Sequence, residues 1–262
     1  MLNIGEISYA NVFPIFNMLK RYEGLKFISA FPSFLNRAVR EGGVDVTPCS
    51  SIEYARNSNN YLIIPNISIS SKIKVKSVCL FSNYDIGYLS HKNIFLTSES
   101  GTSVVLLKIL FKKFYQMKAN FTIDENNADA YLYIGDKALF QYYKKGFKYV
   151  YDLGEQWNNF TGLPFVYALW LVTKEAVNTK RDEMIEFKKL LLKIKEDSKQ
   201  NLSSLIDHYY FKGLTSYQII DYWETIDYSL TDTHIAGLKE FYRLANEIGE
   251  IKSVPELSFF LD

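Results

Sequence analysis

Histidine and cysteine are scarce in this chain of 262 residues: His91, His208 and His234 are its only histidines, Cys49 and Cys79 its only cysteines. The two cysteines are far apart and form no CxxC spacing, which argues against a disulfide scaffold and a zinc ribbon. The histidines fall into no HExxH or HxH pattern, so no two imidazoles are set to share one metal, and no metal is expected. Charge of one sign is also lacking. Lys+Arg number 30 against 29 Asp+Glu, a net charge of +1, and composition gives no reason to expect a nucleic acid or an anionic membrane as partner. No run approaches the ~18 uncharged apolar residues of a membrane span. The opening Met1-Leu2-Asn3-Ile4-Gly5-Glu6 has no basic stretch followed by an apolar one, and a cytoplasmic location is expected.

What the chain does have is apolar and aromatic mass, with 48% hydrophobic residues, 20 Tyr and 19 Phe. No basic patch accompanies the rings, so they read as core rather than as a base-stacking surface. The first half alternates short strand-like runs with helical segments, the pattern of an α/β fold. Strands are predicted over 2–8, 27–31, 44–48 and 75–82, with helices over 12–22 (Asn11 as N-cap), 32–40, and after Ser50-Ser51. A second set follows: strands over 93–97 and 130–134, a helix carrying Leu107, Leu110, Phe111 and Phe114 on one face, another opening at Gly135-Asp136, and a long apolar strand over 165–173. The remainder is helical. Two lobes crossed twice by the chain are expected, one holding 1–87 plus 172–262 and the other 88–171, with a ligand cleft between them where strands end and helices begin.

Four strand-to-helix junctions carry small polar residues: 8–11, 49–51, 100–103 and 135–136. Each offers free backbone N–H groups and a side-chain hydroxyl, amide or carboxyl, which suits a carboxylate or phosphate ligand or, equally, ordinary N-capping. Four of them on two facing lobes point to a bound anion. Ser100-Gly101-Thr102-Ser103 is the best single candidate, since Gly101 permits close backbone approach and Thr102 and Ser103 supply hydroxyls. Asp136 can be a general acid or base or a helix cap. Thr161-Gly162-Leu163-Pro164 fits a plain loop, a hinge or a pocket wall. Cys49 has no basic neighbour to activate it as a nucleophile.

Ile7-Ser8-Tyr9-Ala10-Asn11-Val12-Phe13-Pro14 resembles the N-terminal signature of the chorismate dehydratase family of the futalosine route to menaquinone. The similarity continues through Ser50-Ser51-Ile52-Glu53-Tyr54, Lys76-Ser77-Val78, Ser100-Gly101-Thr102-Ser103-Val104, Ile134-Gly135-Asp136-Lys137, and Thr161-Gly162-Leu163-Pro164-Phe165. The resemblance implies a two-lobe periplasmic-binding-protein-like type II fold and a hydro-lyase acting on a small dianion, chorismate, to give 3-[(1-carboxyvinyl)oxy]benzoate. Aromatisation of the ring drives that reaction without a cofactor, and the family suggests the substrate's own enolpyruvyl carboxylate as base. By the same resemblance Asn11 and Ser77 form the catalytic pair. Ser51, Thr102 and Ser103 bind carboxylates, and Gly135, Asp136, Thr161, Gly162 and Leu163 line the cleft. Two other readings stand beside it: the sister enzyme 1,4-dihydroxy-6-naphthoate synthase, whose Ser-Pro-Cys-Pro-Asn type of motif is absent here, and a non-catalytic anion-binding protein.

Overall fold

The computed structural model describes residues 1–261. At the N-terminal end β1 (Leu2–Ile7), α1 (Phe13–Leu19), β2 (Leu25–Ala30), α2 (Pro32–Arg40), β3 (Val46–Ser50) and α3 (Ser51–Asn57) succeed one another through short connections. Pro32 occupies the first turn of α2, where its missing N–H leaves no bond unmade, and Leu35 and Val39 turn one face of that helix inward. Next comes β4 (Tyr61–Ser71), a strand absent from the sequence reading. Pro65-Asn66 breaks its alternation, Asn66 adopts a φ of 65°, and the pairing jumps from Ser68 to Ile63 around this bulge.

The chain then crosses into β5 (Val78–Ser82), β6 (Asn93–Leu96), α4 (Gly101–Ile109), β7 (Asn120–Thr122), β8 (Ala130–Ile134), α5 (Gly135–Lys144), β9 (Tyr149–Asp152) and α6 (Leu153–Thr161). It returns along β10 (Phe165–Thr173) and ends in α7 (Lys174–Thr179), α8 (Arg181–Gln200), α9 (Leu202–Leu205), α10 (Ser216–Trp223) and α11 (Asp232–Glu247).

Two five-stranded sheets result, ordered β2-β1-β3-β10-β4 and β7-β6-β8-β5-β9. They share one plan. Three strands run parallel (β2, β1, β3 and β7, β6, β8), and beside them lies a strand antiparallel to both its neighbours, β10 in the first sheet and β5 in the second. Each antiparallel strand is the one that follows a crossing. The lobe limits expected at 87/88 and 171/172 therefore move: β5 belongs to the second sheet and β10 to the first, with the crossings at 72–77 and 162–164. The physical reason is that a strand changes sheets as a unit. A cut at 171/172 would sever β10 within its ladder to β3 and β4.

One apolar cluster runs continuously through both lobes, with Trp157, Trp170 and Trp223 fully buried in it, and a small second cluster (Cys79, Phe81, Tyr133, Ala138) covers the outer face of the second sheet. Each such fully buried large side chain contributes ~1.5–3 kcal/mol. No described helix is long and apolar enough to cross a membrane.

Candidate functional site

The carboxyl ends of the inner parallel strands of both sheets converge on the cleft between the lobes, the position where open α/β sheets hold ligands. β1 delivers Ile7 and, just beyond it, Tyr9 and Asn11; β3 delivers Ser50; β8 delivers Ile134 and Gly135; the turn into α4 delivers Ser100 and Ser103. The first crossing completes the wall with Val75 and Ser77, beside Val78 at the start of β5, and β10 adds Tyr167 and Ala168. In the arrangement described the cleft is nearly closed: its cavity is about 60 Å³, below the ~300–1,000 Å³ usual for small-molecule sites.

Asn11 does not cap a helix. It lies in a 3-10 turn, Ala10–Val12, while α1 starts at Phe13 with Val12 as its N-cap and no side-chain capping bond. Among the described residues Asn11 Oδ1 has no hydrogen-bond partner; it is buried, on a residue that lines the cleft. A buried polar atom left unpaired costs ~1–3 kcal/mol, so such a group marks a place that a ligand completes.

Ser77 sits on the 72–77 crossing, whose path is fixed from the second lobe. Asp152 accepts the backbone N–H groups of Val75 (3.0 Å) and Lys76 (2.6 Å) while capping α6, and Lys76 takes a left-handed φ of 60°. Burial pushes the Asp152 carboxyl up to about 6, against the pull of these backbone donors. The Ser77 carbonyl accepts the Gly135 N–H at 2.8 Å, so that amide at the start of α5 is already engaged.

Several bonds tie the lobes together around the cleft. Tyr9 donates its hydroxyl to Glu99 at 2.8 Å, the Ala10 N–H donates to Asp136 Oδ1 at 2.9 Å, and Thr102 Oγ1 accepts the Ile52 N–H at 3.1 Å. Burial raises the Asp136 carboxyl above the ordinary aspartate range, and the Ala10 N–H partly opposes this. Burial, reinforced by Glu99, keeps the Tyr9 phenol protonated. No lining residue carries a carboxylate, imidazole or amine. Hydroxyls, amides and apolar walls make up the site.

Residues 2–247 match the profile of a family described as menaquinone biosynthesis. The chain belongs to this family. This member of the menaquinone biosynthesis family is 32% identical over 192 residues to chorismate dehydratase of Thermus thermophilus, a match covering 66% of this chain and 70% of that protein. It is 31% identical over 171 residues to chorismate dehydratase of Campylobacter jejuni, covering 63% of this chain and 64% of the relative. Its fold is similar to that of a Candida albicans protein described as exhibiting the generic periplasmic binding protein structural fold, with a TM-score of 0.71, 11% identity, and coverage of 100% and 98%. At that identity the likeness concerns the fold alone, and the fold is the one the sequence resemblance implies.

Of the residues the sequence singles out, the structure brings Asn11, Ser77, Ser103 and Gly135 into the wall of one cleft. Ser51 and Thr102 lie behind that wall, fully buried and 3.3 Å apart, joining the lobes instead of lining the site. Asp136 bridges the lobes in the same way. Thr161, Gly162 and Leu163 are not among the cleft's lining residues: Thr161 bonds back to the Trp157 carbonyl, Gly162 ends α6 at a φ of 69°, and Leu163 accepts from Asn158. They form a helix C-cap, which explains the Gly at that position. The Cys49 thiol is buried and pushed well above its ordinary pKa by desolvation, the opposite of an activated nucleophile. Sequence reasoning missed Tyr167, which lies in a strand apolar and buried along nearly its whole length, where no local pattern sets one position apart.

Proposed function

We propose that this chain is a chorismate dehydratase of the cytoplasm, removing water from chorismate to give 3-[(1-carboxyvinyl)oxy]benzoate. One observation carries the reading: the buried, partnerless amide oxygen of Asn11 lines the same cleft as the Ser77 hydroxyl, at a site whose lining has no ionisable base. The relatives named chorismate dehydratase support the same reading.

In the reaction the proton leaves the ring carbon bearing the enolpyruvyl ether. Its electron pair spreads toward the ring carboxylate, the ring C–O bond breaks, and hydroxide departs with a proton as water, leaving an aromatic ring. The apolar walls formed by Ile7, Val75, Val78, Ile134 and Ala168 hold the ring. Asn11 hydrogen-bonds the leaving hydroxyl, and Ser77 donates to the ring carboxylate as charge gathers on it. Ser103 faces the second carboxylate, and Gly135 lets the Tyr9 ring pack against the wall beside it. As the family resemblance implies, the enolpyruvyl carboxylate of the substrate acts as the base, oriented by the cleft, and a lining of hydroxyls, amides and apolar groups is compatible with that role. Donors placed where charge develops are each worth ~10²–10³ in rate. Ser51, Thr102 and Asp136 serve by holding the lobes together.

Incubating the purified protein with chorismate and following mass tests this. The expected result is a product lighter by one water, formed in proportion to enzyme. Unchanged chorismate at high enzyme concentration overturns the reading.

A further inference from the structure

We propose that Tyr222 and Tyr228 are positioning residues that aim Ser77 and Asn11 into the cleft, an inference that rests on the dehydratase reading of that cleft. Neither tyrosine is among the lining residues, and both are buried. The Tyr222 hydroxyl donates to Ser77 Oγ at 2.8 Å, and the Tyr228 hydroxyl donates to the Asn11 carbonyl at 2.6 Å. Between them in sequence, Trp223 Nε1–H donates to the Ala10 carbonyl at 2.8 Å. Consecutive residues of α10 meet consecutive residues of the crossing: Lys76 Nζ lies 2.8 Å from Asp221 Oδ2, beside the Ser77–Tyr222 bond. One short helix and the residues after it thus hold both halves of the catalytic pair.

The chemistry follows from what a serine hydroxyl can do. It has one proton to give and lone pairs to accept with. With Tyr222 donating into its oxygen, the Ser77 proton is left free to point into the cleft that Ser77 lines, and the incoming bond polarises the outgoing one. Tyr228 sets the peptide plane of Asn11, which fixes where its side-chain amide projects. α10 is itself well anchored, by a Thr215–Gln218 capping box and by Trp223 stacked on Phe13 at 5.7 Å.

The test compares Tyr222→Phe, Tyr228→Phe, Ser77→Ala and the double variant Tyr222→Phe/Ser77→Ala for kcat and KM with chorismate, and for urea unfolding. Tyr54→Phe is the control, since the Tyr54 hydroxyl is bonded to the Glu256 carbonyl and Tyr54 does not line the cleft. Tyr222→Phe and Tyr228→Phe are each expected to lower kcat about tenfold with KM changed less than about twofold, while Tyr54→Phe loses similar stability and keeps its kcat. Added to Ser77→Ala, Tyr222→Phe is expected to change kcat no further, because its effect runs through the removed hydroxyl. A folded Tyr222→Phe protein with wild-type kcat, or a further tenfold loss in the Ser77→Ala background, overturns the assignment. If Tyr222→Phe does not fold, Tyr228→Phe decides by the same criterion. A wild-type protein that leaves chorismate unchanged overturns the dehydratase reading itself, an outcome distinct from active wild type with active tyrosine variants.

Discussion

Gly135→Ala tests how the lobes meet. Gly135 opens α5 at a φ of 56°, and a Cβ there would lie 2.9 Å from Cε2 and Cζ of Tyr9, which comes from the opposite lobe. Carbon atoms pack best at ~3.5–4.0 Å. The ring has little room to yield, because its hydroxyl is bonded to Glu99 at 2.8 Å. Two costs separate cleanly. Left-handed backbone strain on a residue with a Cβ, ~1–2 kcal/mol, is present whether the lobes are together or apart and lowers fold stability. The ring clash exists only when Tyr9 faces Gly135, and an overpacked contact of this kind costs ~1–3 kcal/mol. That second cost is taken from ligand binding and weakens it about 5- to 150-fold. Titration calorimetry with the reaction product, steady-state kinetics with chorismate and urea unfolding together resolve the two costs. A variant that folds and retains affinity and KM within twofold of wild type refutes the expectation that Tyr9 packs on Gly135 in the liganded protein.

Three further outcomes follow from the same geometry. Because Asn11 Oδ1 has no partner and Asn11 caps no helix, Asn11→Ala should leave stability unchanged or raised, and both Asn11→Ala and Asn11→Asp should lose about two orders of magnitude or more in kcat/KM; an Asn11→Asp protein active within a few-fold of wild type removes Asn11 from the site. Burial raises Asp152 from 3.8 to about 6, so the native state holds that proton more tightly than the unfolded chain does. Its stabilising contribution is complete below about pH 4 and lost as pH rises through about 6, a change of ~3 kcal/mol, so the urea-measured stability of wild type relative to Asp152→Asn should fall over that window; a flat or rising difference contradicts it. Product at about 100 times its dissociation constant should stabilise the protein by ~2.7 kcal/mol, a rise of several degrees in Tm, and a flat titration to millimolar ligand counts against the site.

The α/β alternation, the long strand β10 and the strand-to-helix junctions were legible because each is local: periodicity, caps and small polar residues lie within a few positions of one another. β4 was not, since Pro65-Asn66 reads as a break and only the partner strand β10 carries the ladder past it. Asn11 reads as a cap by its place before an apolar helix, yet the 3-10 turn at Ala10–Val12 sets that helix one residue later, with Val12 at the cap, and leaves the amide for the cleft. Ser51 and Thr102 have the residue types of anion binders, but their mutual contact is a property of how two lobes meet and is visible only in three dimensions. Tyr222 and Tyr228 lie 145 and 217 residues from the groups they hold. No window along the sequence contains both partners.

Loss of water alone should turn chorismate into an aromatic ether acid in this cleft. Proton NMR of chorismate during incubation with the purified protein tests it most directly. The expected result is loss of the two ring sp³ C–H signals, growth of aromatic signals of a meta-substituted benzoate, and retention of the enol methylene pair. Release of pyruvate with a para-hydroxylated benzoate, or a chorismate spectrum that decays no faster than without protein, contradicts it.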